Sequence, residues 1–75
     1  MKRALNAMSD DVATALDAAG LRAAYEARPP YQRNDWLGWI ARAKQPETQA
    51  RRLGSMLGEL RAGRGYMGMD WTPKG

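Results

Sequence analysis

Five of the seventy-five residues are β-branched: Val12, Thr14, Ile40, Thr48 and Thr72. A sheet-built core draws heavily on such side chains, because they pack well on a pleated surface. Alanine and leucine are frequent here instead, and unbranched side chains lose little rotamer freedom in a helix. The chain is therefore expected to be all-α. Cysteine is absent, so neither a disulfide nor a thiolate metal site can staple so small a core. Ordering costs about 1.5 kcal/mol per residue, which leaves close helix packing as the main source of stability.

Breakers divide the sequence into four helical stretches. Ser9-Asp10-Asp11 reads as a helix start, since a short polar side chain accepts from orphan amides and acids suit the positive end of the dipole. Val12, Leu16 and Ala19 recur at helical spacing until Gly20 supplies a stop. A short second helix carries Leu21, Ala24 and Tyr25, and Arg28-Pro29-Pro30 ends it, because a residue before proline is pushed out of the α region. The third helix begins near Pro30, and its stripe is Trp36, Trp39, Ile40 and Ala43, widened by Leu37. Gln45-Pro46 breaks the chain again. The fourth helix places Ala50, Leu53, Leu57 and Leu60 on one face with Met56 on its flank, and Gly63 and Gly65 end it. The expected architecture is a compact bundle of four short helices over residues 1–65. An irregular tail, 66–75, is either packed by its aromatics or disordered.

The charge balance is basic, with 12 Lys and Arg against 8 Asp and Glu, net +4. Between Arg28 and Arg64 the basic positions are 28, 33, 42, 44, 51, 52, 61 and 64, and the acidic ones are 35, 47 and 59. Such asymmetry can attract an anionic partner, although a solvated surface is the usual fate of these charges. No stretch approaches the ~20 apolar residues of a membrane span. Met1-Lys2-Arg3 resembles the start of an export signal, but Asn6, Ser9, Asp10 and Asp11 interrupt the apolar run that should follow, so a cytoplasmic protein is expected.

Histidine is absent along with cysteine, which removes the usual neutral-pH base and the common nucleophile–base arrangements. Asp10 and Asp11 are explained as a helix start, and Gly63, Gly65 and Gly68 precede no helix that could cradle a phosphate. The chain is expected not to be an enzyme and to need no cofactor and no metal. Trp36 and Trp39 could stack on bases if exposed; the apolar residues sharing their face assign them to the core. Gly54 and Gly58 cost about 1 kcal/mol each inside a helix relative to alanine. They are expected to let the third or first helix approach closely, with self-association as the alternative.

The best candidate binding patch is Arg51-Arg52 with Arg42 and Lys44 upstream. Helical geometry puts Arg51 on the side of Gly54 and Gly58, and turns Arg52 elsewhere, with Thr48 and Glu59. The arginines thus form no flat stripe, which weakens a duplex-DNA footprint.

Two strings carry a family resemblance: Pro29-Pro30-Tyr31-Gln32-Arg33-Asn34-Asp35-Trp36-Leu37-Gly38-Trp39-Ile40, and Trp39-Ile40-Ala41-Arg42-Ala43-Lys44-Gln45-Pro46-Glu47-Thr48-Gln49-Ala50-Arg51-Arg52-Leu53. Together they resemble the YdeI/OmpD-associated, or bacteriocin-protection, family, whose pattern runs W-I, then AK-x-PET, then RR. Tyr31, Gln49 and Leu53 depart from its typical Ser, Arg and Ile, and Gln49 removes one charge from the string. The resemblance implies a helical module associated with an outer-membrane porin and with protection against bacteriocins or cationic peptides, periplasmic in some members. The same string also has a purely structural reading, in which Pro46 starts the helix and Glu47 favours its N-terminus and pairs with Arg51.

The expected function is a non-enzymatic protein-interaction or stress-protection module. Its partner surface would be Lys44, Glu47, Thr48, Arg51 and Arg52, and its partner another protein. A basic helical nucleic-acid binder is the alternative.

Overall fold

The computed structural model describes residues 5–73. Four helices follow one another: α1 (Asp10–Ala19), α2 (Arg22–Glu26), α3 (Pro30–Ala41) and α4 (Pro46–Ala62). The fold is all-α, and the described residues include no strand beyond an isolated bridge between Tyr66 and Met69. Met1-Lys2-Arg3 lies outside the described residues, as do Lys74 and Gly75.

Each helix boundary has a local cause. Ser9 Oγ accepts from Val12 N at 3.3 Å, capping α1 as its sequence requires. Gly20 closes α1 in the left-handed region (φ 69°), where its N–H donates to Asp17 O and the Leu21 N–H reaches back to Leu16 O. That pair of bonds satisfies carbonyls that the helix end would otherwise leave open. Pro30 and Pro46 both occupy first-turn positions of their helices, where a missing N–H costs nothing.

The core is built from Val12 and Leu16 of α1, Tyr25 of α2, Trp36, Leu37 and Ile40 of α3, Met56 and Leu60 of α4, and Tyr66 beyond it. Trp36, Leu16 and Met56 are wholly buried. Burying side chains of this size contributes about 1.5–3 kcal/mol each. The fourth helix turns differently from the periodicity reading. Met56, expected on the flank, lies at the centre, while Leu53 and Leu57 are half-buried and Ala50 is exposed. The reason is that α4 packs against α3 and also against the chain that follows it, so its buried arc is shifted toward Met56 and Leu60. Trp39 likewise is half-buried rather than central.

Gly54 and Gly58 do not meet another helix. Both are exposed, and a Cβ at either position would have nothing within 4 Å. The expected close approach of the first or third helix is thus absent, because α4 presents Met56 and Leu60, not its glycines, to the bundle.

After Gly63 the chain doubles back in a tight turn. Tyr66 N donates to Met69 O and Met69 N to Tyr66 O, at 3.0 and 2.9 Å. Both central residues have positive φ, 50° at Met67 and 82° at Gly68, the pattern of a type I′ turn. Their N–H groups converge on the Glu59 carboxylate at 2.9 Å each, so the turn forms a small anion-holding nest for a side chain of α4. Trp36 Nε1 adds a third donor to the same carboxylate at 3.3 Å. Tyr66 seats its ring edge-on against Trp36 and donates its hydroxyl to Asp35.

Candidate functional site

The α3–α4 turn holds the residues singled out for recognition. Gln45 is extended (φ −99°, ψ 139°), as a residue before proline must be, and its carbonyl accepts the first bond of α4 from Gln49 N at 3.0 Å. From this point the five candidates diverge. Lys44 and Glu47 are exposed, and Arg51 is exposed on the outer side of α4; Thr48 and Arg52 are half-buried.

Arg52 is committed within the chain. Its Nη1 donates to Trp39 O at 2.6 Å, and its guanidinium lies 5.2 Å from the Trp39 ring centroid. It thereby ties α4 to the last turn of α3, satisfying a helix-end carbonyl and covering the half-buried indole at once. The turn between Arg51 and Arg52 expected from helical geometry is what separates a solvent-facing cation from a bridging one.

Glu47 does not pair with Arg51. The ion pairs among the described residues are Arg22–Asp17, Arg22–Glu26 and Arg33–Glu26, all around α2 and the start of α3. An exposed i,i+4 pair gains only about 0.3–0.5 kcal/mol, too little to hold two long side chains in one geometry. Among the described residues, Arg42, Lys44 and Arg51 are exposed and join no ion pair.

A site that the sequence reading missed lies at Arg28. This residue is 5 % exposed. Its Nη1 donates to Gln32 Oε1 at 3.1 Å and to Gly65 O at 2.7 Å, and its Nη2 donates to Glu59 O at 3.0 Å. The guanidinium carbon lies 5.0 Å from the Trp36 centroid and 4.4 Å from that of Trp71. Burial pulls the Arg28 pKa below the ordinary arginine value, with the nearby Glu59 charge acting in the opposite direction. Arg28 thus gathers α2, α3, α4 and the last described stretch around one planar cation. A sequence signal existed, since Arg28, Gln32 and Trp36 are spaced by four, but the proline pair between them hides the continuity.

Ser55 lines a shallow depression with Gly58, Glu59 and Trp71.

A groove of mixed polar and apolar lining opens on another side, between the residues leading into α1 and the first half of α4, with Leu37 and Ile40 of α3 in its lining. No helix among the described residues is long and apolar enough to cross a membrane.

Residues 7–63 match the protein family described as bacteriocin-protection, YdeI or OmpD-associated. No curated protein and no solved structure matches the chain. The matched segment runs from the residues ahead of α1 to the glycine that ends α4, and the chain belongs to the bacteriocin-protection, YdeI or OmpD-associated family.

Proposed function

We propose that the chain is a non-enzymatic protein-binding module of the bacteriocin-protection type. Its contact surface is the α3–α4 turn with the first two turns of α4. The observation that carries this reading is a division among the cations. Arg22, Arg28, Arg33 and Arg52 are each engaged within the chain. Lys44 and Arg51, like Arg42 before them and Arg61 and Arg64 at the far end of α4, are exposed and join none of the ion pairs of the described residues. Glu47 and Thr48 complete the surface, and Arg52 contributes by fixing α4 against Trp39. A surface of that composition favours an acidic patch on another protein.

OmpD association and bacteriocin protection come to this chain from the family description as part of the same proposal. A cytoplasmic location is a separate part of the proposal, supported by the polar residues Asn6, Ser9, Asp10 and Asp11.

Capture from a cell lysate on the immobilised protein, with and without nuclease, tests the reading. A protein retained after nuclease treatment supports it. Recovery of nucleic acid alone, lost steeply as salt rises, would replace it with a nucleic-acid-binding function.

A further inference from the structure

The groove beside α1 has apolar side chains in its lining and charges of both signs near it. One wall is the segment leading into α1, with Ala7 and Asp11; the floor is Leu37 and Ile40; the other wall is α4, with Ala50 and Leu53. Along the first wall exposure alternates. Asn6 and Met8 turn inward, Asn6 N donating to Asn34 Oδ1 at 2.7 Å, while Leu5, Ala7 and Ser9 stay exposed. Leu5 is 91 % exposed, and by this alternation it shares the side of Ala7 and Ser9, which line the groove. An exposed apolar side chain thus lies two residues from Ala7, in a groove lining that combines Val12, Leu37, Ile40 and Leu53 with Ser9, Asp11 and Gln49.

The charges at the two edges are opposite. The start of α1 carries Asp10 and Asp11, and no base. The turn joining the lining residues Ala41 and Pro46 carries Arg42 and Lys44, and no acid. All four are exposed, and none belongs to an ion pair of the described residues. A surface bearing an acidic edge, a basic edge, an exposed apolar side chain and a groove meets its own copy favourably about a two-fold axis, because each element then faces its complement.

We propose that this groove is the contact face of a homodimer, with Leu5 of each copy over the Leu37–Ile40 floor of the other and the Asp10–Asp11 edge against Arg42 and Lys44. The proposal rests on the reading of the α3–α4 turn as a protein-binding surface, and names a second copy of the chain as an occupant of its groove side. The open glycine face of α4 takes no part.

Sedimentation equilibrium of the full chain at low salt, from about 1 μM to about 1 mM, reads the Kd range that a small interface supports. The wild type is expected to dimerise within that range. Leu5→Ser, at an exposed position with no cap or core role, is expected to weaken dimerisation about ten-fold or more. The variants Asp10→Lys/Asp11→Lys and Arg42→Glu/Lys44→Glu are each expected to be monomeric, and an equimolar mixture of the two to dimerise again, since the reversed edges then match. Gly54→Ala/Gly58→Ala is expected to dimerise as the wild type does. Helical circular dichroism confirms that each variant is folded. A wild type that stays monomeric throughout, or a Leu5→Ser variant that dimerises undiminished, overturns the proposal. A monomeric wild type that still captures a nuclease-resistant protein removes the dimer and leaves the protein-binding reading standing.

Discussion

The Arg28 guanidinium lies 4.4 Å from the centre of the Trp71 ring, joining the exit of α2 to the last stretch of the described chain. The same cation holds the carbonyls of Gly65 and Glu59, so the residues after α4 are fastened by the least exposed charge among the described residues. A buried cation is stabilising only while its donors are satisfied.

Arg28→Lys is therefore expected to destabilise the domain by about 2 kcal/mol, because an ammonium keeps the charge but not the planar fork. Urea denaturation with the same slope and a lower midpoint checks this. An unchanged midpoint would mean that the three bonds contribute nothing net.

Glu59→Gln is expected to cost about 1–2 kcal/mol, since the Met67 and Gly68 amides lose a charged acceptor. Native-state hydrogen exchange should show those two amides opening more readily. Protection equal to that of the wild type would contradict the nest.

Gly54→Ala and Gly58→Ala are each expected to stabilise the chain by about 1 kcal/mol. Both sites are helical and exposed, and a new methyl group meets nothing within 4 Å. Thermal melts of the single and double variants test it, and a lower melting temperature would show that the glycines serve a contact the bundle does not display.

Burial raises the Tyr25 pKa above its ordinary 10.0, Arg33 opposing and Glu26 assisting, with Arg22 opposing. The folded state thus holds the phenolic proton more tightly than the unfolded one. That contribution is complete below pH 10 and is lost as pH climbs through the raised value. Stability is expected to fall on the alkaline side, and Tyr25→Phe to lessen that fall. Identical alkaline titrations of the two proteins would sink the assignment.

These outcomes divide along what the sequence could show. The cap at Ser9, the stop at Gly20 and the proline starts of α3 and α4 were legible because each is decided within a few residues. Trp36 and Ile40 were legible as core through their spacing. The centring of α4 on Met56 was not, because it depends on Tyr66 and neighbouring residues folding back onto the helix. Arg28 read as one more surface charge, since its acceptors come from Glu59 and Gly65, far along the chain. Among the candidate contact residues, helical geometry separated Arg51 from Arg52 correctly, but only the packed structure shows Arg52 bound to Trp39.

The proposed binding surface depends on a division of labour between cations that hold the fold and cations that would face a partner. The most direct test pairs capture with stability in two variants, Lys44→Glu/Arg51→Glu and Arg52→Glu. The first is expected to keep the wild-type unfolding midpoint and lose the nuclease-resistant partner. The second is expected to lower the midpoint, with a stability loss of about 1–2 kcal/mol through the lost Trp39 contacts. Partner capture undiminished by Lys44→Glu/Arg51→Glu would contradict the claim that this turn is the protein's binding surface.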